Sequence, residues 1–243
     1  MYLRKEYDLG NVRFIEKHYP GNYGAPGMKR RKKKEPTPED VKKQNDKRKA
    51  RRLQMLILRN FMEGDWYLTL TYRKEERPES IEEAKKQRKK FIRDLRKQYR
   101  KAGHELKYII VTERGERGAC HHHIIIQDIT DGSMNVKKAV MDCWKYGGKH
   151  FEPLYEDGNY ERLAEYISKT ATKEEQKGGR TFARSQNLIV PEPKVEKIHA
   201  GRWAWNPKAP VGWYIVKDSL ENGENIYTGK PYQRYIIRRL VAG

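Results

Sequence analysis

The feature that most constrains the fold is a pair of apolar segments joined by a short loop. Residues 108–113 (YIIVTE) and 121–127 (HHHIIIQ) are rich in β-branched residues, which is typical of strands. The loop between them is too short for a crossover connection, so the two strands should form an antiparallel hairpin. A hairpin that pairs residue 113 with residue 121 places Glu113 beside His121 and puts His123 on the same face.

Further strands and helices surround this hairpin. Residues 66–72 (WYLTLTY) predict a strand. Ser80 and Glu83 form a capping box that should open a helix ending near Gly103. The elements predicted after the hairpin are a helix at 134–146, a strand at 151–154 and a helix at 160–176. Hairpins and helices that pack on one sheet in this mixed order predict the α+β class.

The two ends of the chain differ in composition from this middle part. Residues 1–28 are rich in Gly, Pro and Tyr, and predict a loop with at most one short strand, at 11–16. A helix capped by Thr37 should continue to about Phe61. We therefore predict a basic N-terminal segment with a helix (1–62), a central α+β domain (63–178) and a small C-terminal appendage (179–243).

The charge of the chain indicates a polyanionic partner. Lys and Arg number 53 against 33 Asp and Glu, which gives a formal net charge of +20. Such a surface attracts nucleic acid. Between Lys29 and Arg52 alone there are thirteen basic residues and four acidic ones. Charge identifies a partner and no mechanism, so composition fits a ribosomal-type or histone-like binder as well as an enzyme.

Cysteine usage and hydropathy indicate where the protein resides. Cys120 and Cys143 have no spacing typical of a zinc ribbon or a disulfide framework, which fits a reducing compartment. No run of residues approaches the roughly 20 apolar residues of a membrane span. The N-terminus lacks the apolar core of a secretory signal. We expect a cytoplasmic protein without a membrane partner.

Glu113, His121 and His123 form a candidate metal site. Two imidazoles on one strand face can share a cation with almost no backbone adjustment, and Glu113 on the neighbouring strand adds a carboxylate. Mixed oxygen and nitrogen donors with vacant positions suit a catalytic Mg²⁺ or Mn²⁺ better than a structural Zn²⁺. Two alternatives stay open: the histidines are ordinary polar residues at a sheet edge, or they bind zinc without catalysis.

A tyrosine on the helix predicted at 160–176 is the candidate nucleophile. Steps of four, three and four residues place a basic group around it, on a face apart from the apolar stripe: Arg162, Tyr166, Lys169 and Lys173. A phenol ordinarily has a pKa of about 10, and nearby positive charge favours the phenolate that attacks phosphate. Alternatively, Tyr166 packs beside the sheet, and Tyr155 and Tyr160 are close enough in sequence to be confused with it.

At these residues the sequence resembles the replication initiators of the HUH endonuclease superfamily. It is most similar to the rolling-circle Rep proteins of bacterial plasmids, integrative elements and filamentous phages. Three motifs match in order: YLTLTY at 67–72, CHHHIII at 120–126 and YISK at 166–169. Two flanking stretches are also similar: NFMEGDWYLTLTY at 60–72 and ARSQNLIVPEP at 183–193.

The resemblance implies an HUH fold and a metal-dependent DNA nicking-joining endonuclease. It makes His121 and His123 metal ligands with Glu113 as the third, Tyr166 the nucleophile and Lys169 its helper. The tyrosine would become joined to a 5′ phosphate and leave a free 3′ hydroxyl. The chain departs from the family pattern in two ways. His122 stands where a bulky apolar residue is expected, and the motif holds one tyrosine in place of a closely spaced pair.

The same resemblance implies partners. These are single-stranded origin DNA, a host helicase and a host DNA polymerase, and a second copy of the chain in a homodimer could replace the missing second tyrosine. The basic residues expected to contact DNA are Arg30, Arg31, Lys32, Arg51, Arg52, Arg162 and Lys173. Two other functions stay open: a tyrosine transposase of the same superfamily, and a non-catalytic nucleic-acid-binding regulator on the same fold.

Overall fold

The computed structural model describes residues 1–20, 35–115, 118–155, 160–170 and 182–240. Over these ranges the protein is α+β, as predicted, with two antiparallel sheets and four α-helices. The elements in chain order are β1 (Tyr2–Asp8), β2 (Val12–His18), α1 (Pro38–Asn60), β3 (Trp66–Leu70), a 3₁₀ turn (Lys74–Glu76), α2 (Ile81–Lys101), β4 (Tyr108–Arg114), β5 (Cys120–Ile126), α3 (Val136–Cys143), β6 (Lys149–Pro153), α4 (Glu161–Thr170), β7 (Ala183–Arg184), β8 (Pro193–Ile198), β9 (Trp213–Ile215), β10 (Glu221–Glu224) and β11 (Pro231–Arg239).

The chain divides into two compact units. The terminal unit comprises residues 1–48 and 190–243, and the central unit comprises residues 49–189. This division differs from the three consecutive segments that the sequence predicted, because the first strands of the chain pair with strands near its C-terminus. Among the helices in the described ranges, none combines the length and the apolar character needed to cross a membrane.

The sheet of the central unit has five antiparallel strands in the order β6-β3-β5-β4-β7. Its middle is the predicted hairpin, in which Glu113 pairs with His121 and Val111 pairs with His123. The register deduced from the sequence is therefore confirmed. Strand β3 lies on the other side of β5 and pairs Thr69 with His123. This register places the ends of three strands beside the histidine run.

One face of this sheet is covered by α2 and α3. Helix α2 begins at the predicted cap, where the Ser80 hydroxyl accepts a hydrogen bond from the Glu83 amide at 3.1 Å. The Glu83 carboxylate accepts from the Glu79 amide at 2.9 Å, one residue before the position that a capping box predicts. Phe91, Leu95 and further apolar residues of α2 pack with Trp144 into a core that is closed to solvent. Burial of this core is the main stabilising term of the central unit.

The terminal unit contradicts the predicted N-terminal loop. Strands β1 and β2 form a hairpin inside a six-stranded sheet, in which β2 pairs with β11 and β1 pairs with β8. Charged side chains hide β1 in the sequence, since Arg4 pairs with Glu196 at 3.1 Å and Arg13 pairs with Glu6 at 3.0 Å. The prediction of at most one strand was wrong because these partners lie far away along the chain.

Candidate active site

Glu113, His121 and His123 lie on one face of the β4–β5 hairpin, as their spacing predicted. The cross-strand partner of Glu113 is His121, yet its carboxylate Oε2 lies 2.8 Å from Nε2 of His123. This is a diagonal contact, which twist brings within reach of a long side chain. Glu113 and His123 therefore form the centre of the candidate active site.

His123 is held from its other nitrogen by a residue that the sequence did not identify. Its Nδ1 lies 2.8 Å from the Tyr67 hydroxyl and 3.3 Å from the Thr69 hydroxyl, both on β3. Burial lowers the pKa of His123, although Glu113 opposes that shift. Burial likewise raises the pKa of Tyr67 above its ordinary value. At neutral pH the site therefore holds a neutral imidazole fixed by a protonated phenol.

Tyr166 completes the group. Helix α4 packs against β4 and places the Tyr166 hydroxyl 3.4 Å from Oε2 of Glu113 and 3.4 Å from Nε2 of His123. The Tyr166 ring stands edge-on to His123, with 5.3 Å between ring centroids. Tyr166 is 45% exposed, whereas Tyr160 is buried and Tyr155 is 61% exposed in the loop before α4. Of the three tyrosines considered, Tyr166 combines contact with His123 and access from solvent.

His121 lies apart from this cluster. Its ring is beside the turn that leads into the hairpin, since a Cβ placed on Gly115 would be 3.7 Å from Cε1 of His121. In the ranges that the structure describes, no three His, Cys, Asp or Glu side chains are gathered as a metal site. The three-ligand site of Glu113, His121 and His123 therefore stays a prediction.

His122 points to the opposite face of the sheet and is fully buried. Its Nε2 lies 2.8 Å from the Tyr72 hydroxyl and its Nδ1 lies 3.0 Å from the Thr112 hydroxyl. Arg88 of α2 donates to the same Thr112 oxygen at 2.7 Å. These bonds explain how the hairpin tolerates a polar residue at a core position, because both ring nitrogens have partners.

The remaining predicted residues lie outside this group. Lys169 donates to Glu165 at 3.2 Å on the surface of α4, so its role as helper stays a prediction. Arg162 is exposed on α4, Arg52 is exposed on α1 and Arg51 is half-buried there. The other predicted DNA contacts fall outside the described residues: Arg30, Arg31, Lys32 and Lys173.

We expect Tyr67→Phe to weaken Mn²⁺ binding by about 10- to 100-fold, because a metal-ligating imidazole depends on the partner of its second nitrogen. Phenylalanine keeps the ring and removes the hydroxyl that contacts His123. Free Mn²⁺ measured by electron paramagnetic resonance gives the affinity. Thr69→Val is the matched control and should have a smaller effect, since its contact is longer. Equal affinities for wild type and Tyr67→Phe would refute this role of the phenol.

Comparison with known proteins gives one family match. The comparisons with curated proteins and with solved structures gave no match. Residues 65–173 match a family model that describes replication-associated proteins of the ORF2 type. The matched range contains Glu113, the histidine run and Tyr166, so it spans the whole candidate active site. This part of the chain is therefore similar to a family of replication-associated proteins, which supports a role in DNA replication.

Proposed function

We propose that the chain initiates rolling-circle DNA replication as a site-specific nicking and joining endonuclease, with Tyr166 as its nucleophile. The observation that carries this proposal is the position of the Tyr166 hydroxyl, 3.4 Å from both Glu113 and His123. A solvent-accessible phenol beside a carboxylate and a neutral imidazole is suited to attack on phosphorus. The match of residues 65–173 to a replication-associated family supports the same function.

The reaction is an exchange of two phosphodiester bonds. The Tyr166 oxygen forms a bond to the scissile phosphorus, and the bond from phosphorus to the 3′ oxygen breaks. The phenol proton leaves along the hydrogen bond to Glu113, and the departing 3′ oxygen takes a proton from solvent. The 5′ end stays joined to Tyr166 as a phosphodiester, so the reverse reaction can rejoin the ends without ATP. The free 3′ hydroxyl can prime a host polymerase after a host helicase opens the duplex.

The donor set fits the divalent cation that this chemistry uses. Oε2 of Glu113 and Nε2 of His123 are 2.8 Å apart, close to the spacing of about 3 Å between neighbouring ligands of an octahedral Mg²⁺. His123 is neutral at neutral pH, as a ligand must be. We propose that Glu113, His123 and His121 would hold Mg²⁺ or Mn²⁺. Such a cation would polarise the scissile phosphate and offset its charge.

The test is a search for the covalent product. Wild-type protein is incubated with Mn²⁺ and labelled single-stranded DNA from the origin of its own genetic element, and is then separated on a denaturing gel. We expect a band of protein-linked DNA that disappears with EDTA and in the His121→Ala/His123→Ala variant. DNA binding without a covalent band, across all origin sequences tried, would contradict the proposal and favour the non-catalytic regulator.

A further inference from the structure

A second polar cavity lies in the central unit, away from Tyr166. Its volume is about 420 Å³, within the range of small-molecule sites. The C-terminal half of α2 contributes Arg96 and Arg100, β7 contributes Arg184, and β4 contributes Tyr108. The segment after β7 contributes Asn187. We name this cavity the arginine pocket. It is partly built from the stretch 183–193, whose sequence the proposed reaction does not use.

The charge of the arginine pocket favours an anion. Three arginines and one acidic residue, Glu105, line it, so the side chains carry a net charge of 3 − 1 = +2. Among the described residues, no ion pair or hydrogen bond engages the guanidinium groups of Arg96, Arg100 or Arg184. Arginine binds phosphate through paired N–H donors, so three such groups around one cavity suit a phosphate ester.

The inner wall of the pocket is fixed by hydrogen bonds. The Tyr108 amide donates to the Ser185 hydroxyl at 3.1 Å, and the Ser185 amide donates to the Tyr108 carbonyl at 3.0 Å. The Asn187 amide nitrogen lies 3.4 Å from the Leu106 carbonyl. The Asn187 side-chain oxygen is buried and has no hydrogen-bond partner among the described residues. It therefore offers an acceptor to a ligand that carries an N–H group.

We propose that the arginine pocket binds one deoxynucleotide unit, with its phosphate at the arginines, its base against the Tyr108 ring and a base N–H at Asn187. Aromatic stacking and phosphate contacts are the two means by which proteins hold unpaired nucleic acid. Asparagine is a common partner for the edge of a base. The choice of a DNA strand over a free nucleotide rests on the proposed function, whereas the chemistry of the pocket does not.

The arginine pocket is separate from the candidate active site. Tyr108 is five residues from Glu113 on β4, a distance of about 17 Å along the strand. Tyr108 packs with the core on the α2 face, whereas an odd number of steps along the strand places Glu113 on the opposite face. A nucleotide in the pocket is therefore not the one that Tyr166 would cut. The pocket adds affinity for a second part of the strand.

The proposal is tested by binding in a Tyr166→Phe background, so that the result does not depend on strand cutting. The probes are a fluorescent 20-nucleotide single strand, followed by anisotropy, and deoxyadenosine monophosphate, followed by saturation-transfer NMR. The pocket variant is Arg96→Ala/Arg100→Ala. The matched control is Lys97→Ala/Lys101→Ala, which removes the same charge from neighbouring exposed positions of α2.

We expect the pocket variant to bind the single strand about tenfold or more weakly than the control, because charge-assisted contacts are lost. The slope of log affinity against log salt should also fall by about 1.4, from two lost phosphate contacts on a single strand. Weaker binding of the mononucleotide alone would assign the pocket to a free nucleotide. Equal binding of both probes by pocket variant and control would overturn the proposal, whether or not the wild type forms a covalent product.

Discussion

Replacing Tyr166 with Phe should reduce the covalent protein–DNA product by at least about a thousandfold, because loss of a nucleophile removes the covalent step. The change deletes one oxygen from a side chain that is 45% exposed. The free energy of unfolding should therefore change by no more than about 0.5 kcal/mol. Binding of the origin strand should remain, since the ring and the basic residues of the surface are unchanged. Gel trapping and anisotropy measure the two properties on the same preparation.

Tyr155→Phe is the matched control for this experiment. It makes the same chemical change on a tyrosine that is near in sequence and 61% exposed. The control should keep the covalent band at the wild-type level. A band that survives in Tyr166→Phe and is lost in Tyr155→Phe would move the nucleophile to the loop before α4. Loss of the band in both variants would show that the assay reports something other than one tyrosine.

The sequence predicted local geometry well, because local geometry depends on short spacings. The short loop between β4 and β5 determined the hairpin register, and the pairing of Glu113 with His121 followed from it. The cap at Ser80 was likewise readable from residues three apart. Helix α1 begins after Thr37, whose hydroxyl accepts from the Asp40 amide at 3.2 Å, as predicted.

What the sequence did not predict depends on distant parts of the chain. Tyr67 contacts His123 only because β3 pairs with β5, and no short turn joins those two strands. The carboxylate of Glu113 bonds to His123, and not to its direct partner His121, because side-chain reach and twist act after register is fixed. The first two strands were missed for the same reason, since β1 and β2 pair with strands about 200 residues later.

The buried position of His122 predicts a loss of stability in acid. Burial, together with the charge of Arg88, lowers the pKa of His122 to about 3, whereas an imidazole in the unfolded chain has a pKa of about 6.5. Below pH 6.5 the unfolded state binds a proton that the folded state refuses until about pH 3. The contribution is thus fully present above pH 6.5 and is lost progressively as the pH falls, by about 2–3 kcal/mol at pH 4.5.

The variant His122→Gln isolates this contribution, because an amide can still hydrogen-bond to Tyr72 and Thr112 and has no proton to gain in this range. Between pH 7 and pH 4.5, the wild type should lose about 2–3 kcal/mol more unfolding free energy than His122→Gln, as measured by urea denaturation. His121→Gln removes the neighbouring imidazole from the other face of β5 and should behave like the wild type. Parallel pH profiles for all three proteins would mean that His122 is protonated in the folded state. The hairpin that carries the candidate metal ligands would then rest on a charged core.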